Sequence, residues 1–197
     1  IGIGVVFTRK TSHVTETSVT YLKGNVMVNE RLLQIGTNLV PGSTISTGNL
    51  SLALLGQDRA VTTIIGQGSK LRIEKSYNLD GHSKIYWENQ IGTIFCKVAK
   101  GRAQVNIATP SAIITVIGTS FSVFTDVHGT AIHVLEGLVQ ANPNDIFIRK
   151  RQNKGKPYKP AKPLQVHAGE KAYISEATYQ IATTPFVKGI ETFAEIS

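Results

Sequence analysis

The sequence has one cysteine, Cys96, in 197 residues, which rules out an intrachain disulfide framework. It has no apolar run of about 18 residues, so no segment matches a membrane-spanning helix. Helical periodicity is also missing. No stretch of a dozen residues repeats apolar groups at i, i+3, i+4 and i+7 behind a capping residue, and only Lys188 to Ala194 has room for a turn or two. There is no G-x-S-x-G elbow and no H-E-x-x-H pair, and the five histidines, His13, His82, His128, His133 and His167, fall in separate segments. Hydrolysis needs a nucleophile, a base and an orienting group within hydrogen-bond reach, so the chain reads as non-enzymatic and without a cofactor. Acidic residues are scarce: 13 against 21 lysines and arginines, a net charge of +8. Such an excess points to an anionic partner (phospholipid head groups, lipopolysaccharide, acidic glycan or nucleic acid) or serves solubility alone. No RNA-recognition or helix-turn-helix motif occurs, so specific nucleic-acid binding is not expected.

What is present has the composition of one folded domain, 41% hydrophobic and 17% charged. Glycines, among them Gly24, Gly36, Gly48, Gly56, Gly66, Gly81, Gly92, Gly101, Gly118, Gly129 and Gly137, punctuate it mostly 8 to 15 residues apart. Short alternating segments lie between them. Leu50, Leu52 and Leu54 share one face of LSLALL; Ile94, Cys96 and Val98 share one face of TIFCKVA; Val105 and Ile107 oppose Gln104 and Asn106. A period of two with turns at this spacing predicts many short strands, and the valine, isoleucine and threonine in AIITVI and TSFSVF favour the same state. The fold class is therefore all-β with minimal helix, either a β-solenoid-like stack or a sandwich. By its parity Cys96 is a buried apolar filler.

Three regions depart from the pattern. Residues 1–18 are polar, a linker or loose first strand; residues 19–176 form the all-β domain; and residues 177–197 form a C-terminal tail whose apolar groups suggest that it docks. Within the domain, residues 149–163 read RKRQNKGKPYKPAKP. This basic insertion loop carries Arg149, Lys150, Arg151, Lys154, Lys156, Lys159 and Lys162 without an acid, while Pro157, Pro160 and Pro163 keep it out of regular strand pairing. These seven cations are the expected ligand-binding residues, for an anionic glycan, lipopolysaccharide or lipid. Asp126, His128 and His133 are the nearest approach to a metal cluster, but Asp and His before Gly129 are ordinary turn residues and no metal is assigned. Gly66-Gln67-Gly68 lacks the third glycine and following helix of a phosphate loop and reads as a hairpin turn. Tyr77, His82, Tyr86 and Trp87 are concentrated in one segment, where exposed rings could stack on sugars or bases, although Trp87 reads as core.

The stretch TPSAIITVIGTSFSVFTDVHGTAIHVLEGLVQ, residues 109–140, resembles the FecR-like domain. Thr109-Pro110, Ile113 to Val116, Gly118-Thr119, Phe121-Ser122-Val123 and Val134-Leu135-Glu136-Gly137-Leu138-Val139 fall in that family's order. Upstream, residues 36–55 resemble its G-x-x-L-x-x-G-x-x-I-x-T-G-x-x-S segment, and downstream Ala168-Gly169-Glu170 resembles its A-G-E turn, so the likeness covers roughly residues 22 to 175. The residues themselves read as scaffold. Gly118 and Gly137 suit a reversal or bulge, Pro110 a strand start, and Phe121 and Val123 with Ile132 and Val134 paired core faces. The resemblance implies an all-β, solenoid-like domain in the periplasm or at the bacterial cell surface. In regulators of this kind it relays the state of an outer-membrane receptor towards a cytosolic anti-sigma segment. No anti-sigma segment lies in this stretch, and the residues after Ser175 are few for a receptor-contacting domain, so family members of surface function are an equal expectation. The opening IGIGVVF, without methionine, leaves room for an upstream anchor or signal. The expected partner is another envelope protein or, alternatively, an anionic polymer or lipid.

Overall fold

A computed structural model describes residues 12–144, 163–175 and 181–185. Among these, every regular element is a β-strand. In chain order they are β1 (Ser12–Val14), β2 (Thr17–Lys23), β3 (Val26–Val28), β4 (Arg31–Leu32), β5 (Asn38–Leu39), β6 (Thr44–Thr47), β7 (Leu52–Gln57), β8 (Val61–Ile65) and β9 (Lys70–Leu79). There follow β10 (His82–Val98), β11 (Ala103–Ala108), β12 (Ala112–Ile117), β13 (Ser120–Thr125), β14 (Gly129–Glu136), β15 (Leu138–Pro143), β16 (Leu164–His167), β17 (Glu170–Ser175) and β18 (Ile181–Pro185). The all-β expectation holds.

The ladders sort into two sheets. The first runs β4–β3–β6–β9–β10–β11–β12–β15–β16, with β1 beside the end of β9. The second runs β5–β2–β7–β8–β10–β13–β14–β17–β18. The chain moves back and forth between them, so neighbours within each sheet follow sequence order. All the pairings are antiparallel except β10 with β11. They branch from β10, and no ladder among the described residues closes into a ring.

β10 is the common member: 17 residues long, it pairs through its first half in one sheet and its second half in the other. Its inward residues are Ser83, Ile85, Trp87 and Asn89, then Gly92, Ile94, Cys96 and Val98. The parity changes from odd to even across a register shift at Asn89 to Ile91. One additional residue reverses which side chains face inward, which lets a single strand line the same core from both sheets. The bend lies at Gly92, whose φ is +88°. A Cβ there would come within 2.6 Å of three Ser69 atoms, so only glycine fits.

The core is one continuous cluster. Ile45, Leu71, Ile73, Ile85, Trp87, Val105, Ile107, Ile114 and Val116 enter from the first sheet. Leu55, Ile65, Ile94, Cys96, Phe121, Val123, Ile132 and Val134 enter from the second. The predicted core faces of β10, β11, β13 and β14 are all found: Phe121 lies opposite Val134 and Val123 opposite Ile132. Trp87, at 1% exposure, is core as expected.

In LSLALL, Leu52 and Leu54 share a face as expected, and it is the outward one, with Ala53 and Leu55 inward; Leu50 does not join them, since it lies in the preceding turn, 82% exposed. A second local expectation is corrected. Gly66-Gln67-Gly68 is a turn but not a hairpin, because β8 and β9 do not pair; it carries the chain from the second sheet to the first. Two-residue hairpin turns occur instead at Asn29-Glu30 between β3 and β4, with φ of +46° and +67°, and at Asp80-Gly81 between β9 and β10, with φ of +51° and +82°, the geometry that a primed turn requires.

Candidate functional site

The two sheets present different chemistry to solvent. Outward positions of the second sheet form cross-strand rows. One runs Tyr21, Leu54, Ile64, Phe95, Ser122, His133 and Lys171; the next joins Thr93, Phe124, Ala131 and Tyr173. With Leu52 beside Leu54, the apolar members of these rows build a patch and are half-buried or exposed, Tyr21 at 47%, Phe124 at 44% and Tyr173 at 39%, while Ser122 among them is buried. Exposed Lys23, Lys97 and Lys171 rim it. Contiguous apolar surface of this kind, framed by charge, marks interaction sites more often than bare solvent-facing sheet.

Outward positions of the first sheet are largely polar, with Ile113 and Ile117 on β12 as apolar exceptions. Tyr77 and Tyr86 are diagonal neighbours with ring centroids 6.3 Å apart and planes 16° apart. Lys75 Nζ lies 5.9 Å from the Tyr86 ring centroid. The Tyr77 hydroxyl, as hydrogen-bond partner, is the main cause that raises the Tyr86 phenol above its ordinary pKa, with partial burial and charge repulsion adding to it. Lys84 Nζ donates to Gln104 Oε1, Gln104 Nε2 donates to Asn106 Oδ1 at 3.4 Å, and Thr115 Oγ1 donates to the same Asn106 oxygen at 3.0 Å. An open hollow of about 260 Å³ adjoins this face, lined by Leu79, Asp80, His82, Lys84, Gly101, Ala103, Gln104 and Ile117.

The motif residues, by contrast, point at one another. Thr109 is buried, and its hydroxyl accepts from Thr130 Oγ1 at 2.8 Å and from the Ala112 amide at 2.9 Å, while Ser111 donates to Thr130 at 2.7 Å. This hydroxyl cluster ties β12 in the first sheet to β14 in the second. Thr119 Oγ1 donates to the Leu138 carbonyl at 3.1 Å, and a Cβ on Gly137 would lie 2.8 Å from Thr119 Oγ1. The Gly169 amide donates to Val134 at 2.8 Å and the Ala168 amide to Gly137 at 3.1 Å. The Gly-Thr, Val-Leu-Glu-Gly and Ala-Gly-Glu segments are therefore layers of a single corner. A hydroxyl beside a bend glycine recurs where Ser69 Oγ accepts from the Thr93 amide at 2.9 Å next to Gly92.

Residues 43–140, which span β6 to the start of β15, match the model of the family described as FecR protein. The chain carries a FecR domain. No curated protein sequence matches the chain. The fold is similar to two crystal structures of a candidate anti-sigma factor from Parabacteroides distasonis ATCC 8503, at TM-scores of 0.56 and 0.55 and identities of 16% and 15%. In both, 73% of this chain aligns with 59% of the other, so it spans about three fifths of their length.

On this FecR domain the sequence-predicted positions separate. Arg149, Lys150, Arg151, Lys154, Lys156, Lys159 and Lys162 lie outside the described residues, in the sequence between β15 and β16, which pair from Leu138–His167 to Ala141–Leu164. Asp126 Oδ1 accepts from the His128 and Gly129 amides at 2.8 and 3.0 Å, an ordinary turn contact, while His133 faces outward between Ser122 and Lys171. Among the described residues no three His, Cys, Asp or Glu side chains gather as metal ligands would. Cys96 is wholly buried, and burial pushes its thiol up to about 12 against a small lowering by the Thr63 hydroxyl 3.4 Å away. The apolar patch was missed on the sequence; its signal was the second apolar face of LSLALL, in Leu52 and Leu54.

Proposed function

We propose that this FecR domain is a non-enzymatic sensor or relay module of a bacterial envelope protein, in the periplasm or at the cell surface, and that it receives another polypeptide on the outer face of its second sheet. The observation that carries this reading is the patch of Leu52, Leu54, Ile64, Phe95 and Phe124, rimmed by Lys23, Lys97 and Lys171. Family membership supports a regulatory role, and the folds compared include a candidate anti-sigma factor. A protein partner fits the patch because aromatic and aliphatic anchors with a charged rim are how protein interfaces are built.

A photo-crosslinker in place of Phe124, set against one in place of Gln140 on the other sheet, tests this in cells that produce the protein. The expected result is one defined envelope protein captured from Phe124 and not from Gln140, lost when Ile64 is changed to Lys. Retention of the purified domain on anionic phospholipid vesicles, with no protein captured, would replace the relay by a membrane-surface role.

A second reading rests on the sequence of residues 149–163, whose seven cations without an acid suit an anionic glycan, lipopolysaccharide or lipid. Glutamine at Arg149, Lys150, Arg151, Lys154 and Lys156 should then weaken binding to such a polymer and flatten its salt dependence.

A further inference from the structure

The outer face of the first sheet holds a polar track that folding does not require. Lys75, Tyr86, Asn106, Thr115, Gln140 and Gln165 stand opposite one another in successive strands β9, β10, β11, β12, β15 and β16. Five inter-strand gaps of about 4.8 Å give it a length of roughly 24 Å. Each of the six can hydrogen bond, and none is buried. The centre is held in place before any ligand arrives, since Asn106 Oδ1 accepts from both Gln104 and Thr115 and Lys84 donates to Gln104. One end is aromatic and cationic, with Tyr77 and Tyr86 paired, Lys75 near the Tyr86 ring and Lys84 alongside. The hollow beside Lys84 and Gln104 opens at that end.

We propose that this track binds an extended acidic polysaccharide, with sugar hydroxyls on the amides and Thr115, ring faces against the tyrosines, and carboxylates at Lys75 and Lys84. Sugars match these groups in kind. A pyranose offers paired hydroxyls to a carboxamide, which both donates and accepts, and an apolar C–H face to an aromatic ring. Lys84 retains two donors beyond the one given to Gln104. Single-stranded nucleic acid fits less well, because successive bases call for aromatic platforms along the groove, whereas the two tyrosines stand together at one end. This site shares no residue with the apolar patch or with residues 149–163.

Affinity electrophoresis of the intact chain in gels containing alginate, with dextran as the neutral polymer and oligo-dT as the nucleic-acid competitor, tests the proposal at physiological salt. Alginate should retard the wild type, and Tyr86→Ala and Asn106→Ala should each weaken that retardation by about tenfold, the effect of one good hydrogen bond or stacking contact. Both side chains are on an exterior sheet face, so their melting temperatures should stay near that of the wild type, and Tyr86→Phe should retain most of the binding. Phe124→Ser should leave alginate binding unchanged, and Tyr86→Ala and Asn106→Ala should each still lower the binding when introduced into the glutamine variant of Arg149, Lys150, Arg151, Lys154 and Lys156. Equal retardation of wild type, Tyr86→Ala and Asn106→Ala would overturn the proposal, as would loss of binding in the loop variant alone, or release of the protein from alginate by oligo-dT.

Discussion

The bend in β10 offers the sharpest test of why two sheets can share a strand. Gly92 has φ of +88°, and a Cβ built there would lie 2.3 Å from Ser69 Oγ, 2.5 Å from its Cα and 2.6 Å from its Cβ. Alanine at this site meets three costs. The left-handed backbone costs an L-residue about 1–2 kcal/mol, overlap with an unyielding neighbour about 1–3 kcal/mol, and loss of a hydrogen bond about 1 kcal/mol. The hydrogen bonds at risk are Thr93 N to Ser69 Oγ at 2.9 Å and Ser69 Oγ to Thr93 O at 3.2 Å. Gly92→Ala should therefore cost about 3–6 kcal/mol, a large part of the 5–15 kcal/mol available to a typical domain. Gly81 supplies the control: φ is +82° and nothing lies within 4 Å of its added Cβ, so Gly81→Ala should cost only the backbone share, about 1–2 kcal/mol. Urea unfolding followed by tryptophan fluorescence reads both, and at an unchanged m-value the midpoints give the difference directly. If the two variants are equally stable, Ser69 yields freely, and the bend is not held by the contact described.

Three further expectations follow from burial. Trp87 is the only tryptophan and is 1% exposed, so its native emission should be blue-shifted and resist acrylamide until unfolding, and Trp87→Ala should cost about 3–5 kcal/mol in urea titrations. Cys96, with its thiol pushed up to about 12, should react with a maleimide only as fast as the chain opens. The fold holds that proton more tightly than the unfolded chain does, so stability is fully present below the ordinary thiol pKa and falls as pH rises from about 9 towards 12, a contribution to the alkaline limb that Cys96→Ala should remove. Phe124, 44% exposed on the second sheet, should tolerate Phe124→Ser within about 0.5 kcal/mol while lowering the binding of an apolar dye; a large loss of stability would show that the ring belongs to the core.

Legibility of the sequence differed strand by strand. Ile94, Cys96 and Val98 were readable as an inward row because Phe95 and Lys97, between them, belong to another environment, and the register of Phe121 with Val134 followed from alternation on both strands. LSLALL was not readable in this way. Leucines occupy both parities, so period two shows a strand but cannot say which face turns inward; the smaller Ala53 went in, and Leu52 and Leu54 became part of the exterior patch. The candidate site was thus hidden by the very feature that makes it a site. Gly66 to Gly68 announced a turn, but whether a turn returns to its own sheet or crosses to the next depends on partners far away in sequence, here Thr93 and Gly48. The 17-residue reach of β10 was obscured for the same reason, since its parity change at Asn89 to Ile91 is imposed by pairing with β9.

The signature that marks the family and the surfaces that serve it are made of different residues, and the strand period explains why. Thr109, Thr119, Thr130 and Ser69 are buried, and their hydroxyls satisfy backbone groups or one another where the chain passes between sheets. A buried hydroxyl or amide left without its partner costs about 1–3 kcal/mol, so these positions admit few alternatives and make a legible motif. Leu54, Ile64, Phe95 and Phe124 on one sheet, like Lys75, Tyr86, Asn106 and Gln140 on the other, take the opposite parity. A change at such exterior positions usually moves stability by no more than about 0.5 kcal/mol, so their chemistry is set free from that of the motif. Two chains can therefore share Gly-Thr, Val-Leu-Glu-Gly and Ala-Gly-Glu in register and differ entirely in what they bind. What this domain binds has to be sought at the outward positions, where an apolar, lysine-rimmed face and a face of tyrosines and amides lie on opposite sheets joined through β10.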